Sequence, residues 1–255
     1  MLVLGIVGSP RKNGRTNELV SAALNGAKSE GADAKKIYLA DFDIKPYMGA
    51  GGSLEAFEYC PEELSKICSE AEAIVLGAPV YWGDINGLTK DFMDTVRIDD
   101  PDGKYALGIS IAGGTGKGLL SGIQSIYHFF FHRQFRAIDP TPVSRFNFQG
   151  ALKLLKRRGG KIAQLSKKRA PFPGRTRDER WPHVAAYYTS LEYFQSDIVD
   201  EFVMLASDLV KLSKGGKTEE AKADLDEALR LIDQGKRAEA AICAVRSYQT
   251  LYFPP

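Results

Sequence analysis

Two periodicities alternate along the first 145 residues. Leu2 to Val7, Ala73 to Ala78 and Tyr105 to Ala112 are nearly unbroken apolar runs of strand length, the pattern of strands covered on both faces in a parallel sheet. Between them apolar residues recur at three- and four-residue spacing. Leu19, Val20, Ala23, Leu24 and Ala27 mark a first helix that starts near Glu18 behind a Thr16/Asn17 cap and stops at Gly31. Residues 34 to 40 read as a second strand, Pro61 to Ala71 as a second helix, Asn86 to Val96 as a third and Leu119 to Arg133 as a fourth. Ala137 to Ser144 reads as a fifth strand, at a sheet edge because Pro140 and Pro142 lack the N–H a central strand needs. Strands and helices thus alternate five times, which predicts an α/β fold with a doubly wound, five-stranded parallel sheet and a ligand crevice beyond the carboxyl ends of its strands. Ile44 to Tyr59 has no periodicity and reads as a long loop.

Beyond residue 145 the pattern changes. Residues 151 to 183 carry eleven basic side chains against Asp178 and Glu179. No nucleic-acid-binding module accompanies them, so they read as solvated helix faces or as local contacts to a phosphate or a neighbouring subunit. Tyr187, Tyr188, Leu191 and Phe194 lead into Ile198, Phe202, Leu205, Leu209 and Leu212, the pattern of a last helix completing the α/β layer. Thr218 to Phe253 then predicts two amphipathic helices around Asp233 to Lys236, with Leu225, Leu229, Ile232, Ala240, Ile242 and Val245 as contacts.

Composition changes this picture little. With 255 residues, 44% of them hydrophobic, the chain can bury a large core, and its net charge of +2 selects no class of partner. Cys60, Cys68 and Cys243 form no even framework, which points to free thiols in a reducing, cytoplasmic setting. No apolar stretch has signal-peptide or membrane-spanning length, so no membrane partner is expected.

The candidate chemistry lies in three loops. Gly8 to Asn17, GSPRKNGRTN, joins the first strand to the first helix, where unpaired helix N–H groups meet whatever the loop holds. Its neutral donors, glycines and three cations suit a phosphate, yet it is neither a Walker loop nor a dinucleotide fingerprint. The third strand runs into Pro79 to Gly83 and the fourth into the glycine-rich Gly113 to Gly118. Aromatic faces and bare backbone beside a phosphate loop suit a flat heteroaromatic ring with a phosphate tail.

These motifs, GSPRKNGRTN at Gly8 to Asn17, GAPVYWGDI at Gly77 to Ile85 and GGTGKG at Gly113 to Gly118, resemble those of the flavodoxin-like NADPH-dependent FMN reductase family, near its iron-sulfur flavoprotein branch, over residues 1 to 145. The resemblance implies that Ser9, Arg11, Asn13, Thr16 and Asn17 bind the FMN phosphate. It further implies that Pro79, Val80, Tyr81, Trp82 and Gly83 line the isoalloxazine and that Gly113, Gly114, Thr115 and Gly116 contact its other edge. It implies an FMN-binding oxidoreductase that takes electrons from NAD(P)H and passes them through flavin N5 to a small acceptor such as a quinone, a nitro or azo compound or free flavin. The flavin carries the chemistry, so no catalytic side chain is required. Alternatives are an electron carrier of the flavodoxin type and a flavin-binding regulatory or interaction module. A homo-oligomer, dimer or tetramer, is expected. The chain would divide into a flavodoxin-like part over 1–213, with a basic and aromatic insertion at about 146–195, and a helical hairpin over 214–255.

The sequence departs from the iron-sulfur branch. Where that branch has a compact group of four cysteines, this chain has Pro46 to Gly52 and, nearby, only Cys60. A cluster normally takes four ligands, so none is expected. His128 and His132 stand one helical turn apart, but their aromatic surroundings and lack of a third ligand favour packing over metal.

Overall fold

The computed structural model describes residues 1–49 and 59–252. The predicted strands appear as β1 (Leu2–Val7), β2 (Asp33–Tyr38), β3 (Ala73–Tyr81) and β5 (Tyr105–Ala112). The short β4 (Asp84–Ile85) folds back on β3, with Val80 opposite Ile85 and Tyr81 opposite Asp84. The fifth strand is broken into β6 (Arg136–Ala137) and β7 (Thr141–Ser144), both parallel to β5. Pro140 lies in the interruption and cannot donate a ladder hydrogen bond, whereas Pro142 is accommodated within β7 opposite Ser110. In space β2, β1, β3 and β5 follow one another and the split strand forms the edge. This order places a topological switch between β1 and β3.

The continuous apolar runs are explained by burial on both sides. Val3, Val7, Val75, Leu107 and Ile109 face α1 (Arg15–Ser29) and α5 (Phe148–Ser166). Leu4, Ile6, Ile74, Leu76 and Ala106 belong to the cluster of the opposite face. That face is built with α2 (Glu62–Glu70), α3 (Gly87–Thr95) and α4 (Leu119–Arg133). The helix that closes the layer beside α1 is therefore α5, and the helix at 198–212, expected in that role, lies elsewhere. Phe148, Ala151, Leu155, Ile162 and Ala163 form a helical stripe that the surrounding lysines and arginines obscured. The two helices cross closely through glycines. A Cβ on Gly26 would lie 1.8 Å from the Lys156 carbonyl oxygen, and one on Gly159 would lie 1.8 Å from that of Ala23.

After α5 come α6 (Arg177–Thr189), α7 (Ile198–Leu212), α8 (Thr218–Asp233) and α9 (Arg237–Tyr252). The terminal pair packs on α7, and a single hydrophobic cluster runs from the sheet through Phe202 and Leu205 to Leu225, Ala228, Ala240 and Tyr248. Leu229 and Ile242, expected as contacts, are exposed. The buried faces are carried instead by Leu231, Cys243 and Ala244, one or two residues further on, because small residues bring α9 against its neighbours. Arg237 joins α9 to α7 by pairing with Asp197 and Asp200, whose side chains form the capping box of α7. No described helix is long and apolar enough to cross a membrane.

Candidate functional site

The three predicted loops meet. Gly8 N–H donates to the Gly77 carbonyl at 2.8 Å, joining the first loop to β3. The Gly8 carbonyl accepts from Asn86 Nδ2 at 2.9 Å, and the single Thr89 hydroxyl proton has two acceptors in reach, Asn86 Oδ1 at 2.7 Å and the Gly8 carbonyl at 3.2 Å. A Cβ on Gly8 would overlap Thr89 Oγ1, at 2.0 Å, so only glycine fits there. The second and third loops touch as well, since a Cβ on Gly118 would lie 2.5 Å from Gly83 Cα. Sequence reasoning missed Asn86 and Thr89. Their signal was a polar pair at the start of an otherwise amphipathic helix.

In the first loop Ser9 and Thr16 are buried, whereas Arg11 and Asn13 are exposed. Ser9 Oγ accepts the Arg11 N–H at 3.1 Å, a side-chain turn that shapes the loop. The N-cap of α1 is Gly14, and no side chain caps this helix. Its first N–H groups therefore face the loop. Asn17 Oδ1 is committed to β2, accepting from Lys36 Nζ at 2.7 Å and Tyr38 OH at 3.1 Å, and the Asn17 backbone N–H donates to the Gly14 carbonyl, so Asn17 can serve the loop only through its side-chain amide N–H groups. Lys12 pairs with Asp41, and the Arg15 guanidinium lies 5.1 Å from the centre of the Phe148 ring.

In the second loop Pro79 and Val80 are buried in β3, and Tyr81, Trp82 and Gly83 form the tip of a tight hairpin. Trp82 is fully exposed with φ +52°, and Gly83 follows at +92°. Left-handed backbone costs a side-chain-bearing residue about 1–2 kcal/mol, and neither that conformation nor that exposure suits a core residue. The aromatic pair is thus displayed at the carboxyl end of the sheet.

The third loop is a glycine turn. Gly116 N–H donates to the Gly113 carbonyl at 2.9 Å, and Gly114, Gly116 and Gly118 all have positive φ. Nothing lies within 4 Å of a Cβ built on Gly113 or Gly114, while Gly116 packs against Leu205. Two residues far away in sequence hold this turn. The Glu201 carboxylate, buried in α7, accepts from Gly118 N–H at 2.8 Å and from Leu120 N–H at 2.9 Å. Tyr248 OH in α9 donates to the Thr115 carbonyl at 2.9 Å. No local pattern announces either contact.

The architecture of these loops has a counterpart in known proteins. Residues 1–144 match the NADPH-dependent FMN reductase family. The chain belongs to that family. An iron-sulfur flavoprotein of Methanocaldococcus jannaschii is 34% identical over 164 residues, which cover 59% of this chain and 82% of the relative. Among solved structures, a flavodoxin from the domain Archaea aligns with a TM-score of 0.51 at 21% identity, over 66% of this chain and all of its own. An NAD(P)H:quinone oxidoreductase from Methanothermobacter marburgensis aligns with a TM-score of 0.51 at 17% identity, over 64% of this chain and 96% of its own. The two structures share the flavodoxin-like fold.

Within this FMN reductase family member, the residues fit the group that the family binds. An uncapped helix start beside two buried hydroxyls supplies donors for a phosphate, and the open space over Gly113 and Gly114 leaves room for a ring edge. The basic segment lies largely outside this site. Arg169 and Arg180 pair with Asp100 and Asp102, just before β5 and thus at the far end of the sheet, and Arg158 donates to Thr141 Oγ1 at 2.7 Å. His128 packs on Phe194 and His132 beside Trp181. Among the described residues no group of His, Cys, Asp and Glu could hold a metal ion.

Proposed function

We propose that the chain binds FMN non-covalently across the loops after β1, β3 and β5 and acts as an NAD(P)H-dependent oxidoreductase on a small acceptor, a quinone, a nitro or azo compound or free flavin. The convergence of these loops at the switch point, fastened through Gly8, Asn86 and Thr89, carries this reading. When bound, the flavin supplies the electron transfer itself. The chain's residues bind and orient. Ser9, Thr16, the Asn17 amide and the start of α1 would hold the phosphate, with Arg11 and Asn13 at its solvent side. Pro79 to Gly83 would cover the ring, with Tyr81 and Trp82 offering the faces. The backbone of Gly113 to Gly116 would meet its other edge. The fold reaches this arrangement with three cysteines in all, and Cys60 and Cys68 are buried, so we propose a flavin enzyme that works without an iron-sulfur cluster.

The test is the visible spectrum of the purified protein, before and after adding FMN and then NADPH without oxygen. Flavin bands that bleach on NADPH support the reading, and a protein that takes up no FMN overturns it. Ser9→Asp with Thr16→Arg, which replaces donors by a repelling carboxylate and a bulky cation, should abolish FMN retention while leaving the far-UV circular dichroism unchanged. Undiminished flavin content in that variant would remove the phosphate site.

A further inference from the structure

We propose that the C-terminal helices are part of the flavin site, holding its glycine turn in the binding conformation, with Tyr248 and Glu201 as positioning residues. The proposal rests on the FMN reading above and extends it to residues outside the family match, which ends at 144. The turn from Gly113 to Gly118 has four glycines, so free in solution it samples a wide range of backbone conformations, and ordering it opposes ligand binding. Its internal restraints are the hydrogen bond from Gly116 N–H to the Gly113 carbonyl and a longer one, 3.4 Å, from Lys117 N–H to Thr115 Oγ1.

Gly118 also packs on Gly83 and Val80, and the side-chain hydrogen bonds that reach the turn from far along the chain come from α7 and α9. Glu201 takes both N–H groups at the start of α4, Gly118 and Leu120, with its two carboxylate oxygens, anchoring the end of the turn. Tyr248 takes the Thr115 carbonyl at the middle. Leu205 fills the space beside Gly116, where a Cβ would lie only 2.7 Å from its Cδ2. The Lys117 ammonium sits 5.5 Å from the Phe202 ring centre and 5.7 Å from that of Tyr248, closing the turn over the two aromatic faces. Burial pushes the Tyr248 hydroxyl well above its usual range, so it remains a donor at every working pH. A turn ordered before the ligand arrives is not ordered at the ligand's expense, so affinity rises without any added contact to the ligand.

The neighbouring residue supplies a matched control. Ser247 Oγ donates to the Ala221 carbonyl at 2.6 Å, a buried hydrogen bond that joins α9 to α8 and makes no contact with the turn's backbone. Titration of apoprotein with FMN, followed by quenching of flavin fluorescence, should give a Kd for Tyr248→Phe about fivefold above wild type, the equivalent of ~1 kcal/mol for one lost hydrogen bond. The absorption bands of the bound flavin should shift with it. Glu201→Gln, which turns a donor toward one of the two N–H groups, should weaken binding further. Ser247→Ala should lower the melting temperature yet leave the Kd within about twofold of wild type, since it removes a bond of the same kind that runs to α8 and not to the turn. Wild-type affinity and spectrum in Tyr248→Phe would overturn the proposal, as would equal losses in Tyr248→Phe and Ser247→Ala. Wild-type protein that binds no FMN would instead overturn the reading on which the proposal rests.

Discussion

Replacing Gly159 by alanine sets two effects of opposite sign against each other. In a helix interior the change ordinarily stabilises by about 1 kcal/mol, because glycine gives up more backbone freedom on folding. At this crossing the new Cβ would lie 1.8 Å from the Ala23 carbonyl oxygen. A carbon and a carbonyl oxygen meet at about 3.3 Å, so α5 must retreat from α1 by about 1.5 Å. A gap of half that size already forfeits about a quarter to a half of the dispersion energy of the atoms facing it. Here those atoms belong to Ala151, Leu155, Ile162 and Ala163, packed in the cluster with Val20, Ala23 and Ala27. Overpacking against backbone, which cannot rotate aside, belongs at the upper end of the usual range, about 3 kcal/mol, and the net destabilisation is then ~2 kcal/mol. Gly150 lies in the same helix with nothing within 4 Å of its Cβ. Gly150→Ala should therefore be neutral or stabilising by up to ~1 kcal/mol. Urea titrations read by far-UV circular dichroism compare the three proteins at equal slope. A midpoint for Gly159→Ala at or above wild type would refute the close crossing, and an equal fall in Gly150→Ala would show that the cost comes from elsewhere.

Thr89→Val keeps the shape of a fully buried side chain but removes its hydrogen bonds to Asn86 and the Gly8 carbonyl, and should cost ~1 kcal/mol in thermal denaturation together with weaker FMN binding. His128 is exposed at its edge, yet partial desolvation against its neighbours, and then the nearby His132, hold it below the usual histidine range. As pH falls through about 6.5 the unfolded chain takes up the proton first. Its contribution is thus complete above that pH and declines below it, and the drop in denaturation midpoint between neutral and mildly acidic buffer should shrink in His128→Phe. Burial pushes the Cys68 thiol up to about 12 and raises that of Cys60 as well, so both should label slowly with a thiol reagent at neutral pH in the native protein and readily in urea.

The central sheet was legible because strands covered on both faces leave uninterrupted apolar runs, and β1, β3 and β5 fall where those runs do. The glycine and polar motifs of the three loops were legible for a related reason, since each sits where such a run ends. Charge misled at α5, where Lys153, Lys156, Arg157, Arg158 and Lys161 interleave with the apolar stripe that binds it to α1. The hairpin at Tyr81 to Asp84 was hidden because a tryptophan in left-handed backbone is not a residue that turn chemistry favours. The clamp on the glycine turn was out of reach for another reason. Tyr248 stands 133 residues from Thr115, and its role is set by how α7, α8 and α9 pack, which no local pattern encodes.

The two margins of the sheet bear on how copies of this chain can assemble. On one side β2 presents the exposed charges of Asp33 and Lys35, and Lys36 is held by Asn17 and Ser21. On the other, β7 carries Pro142 without a donor, and the acceptor of Pro140 is already taken by Arg158. Both margins thus carry features that disfavour a foreign strand, charge on β2 and a missing donor on β7. Strand-to-strand polymerisation is thereby disfavoured in the native protein, and contacts through helices or loops are the easier route to an assembly that leaves each sheet a separate unit.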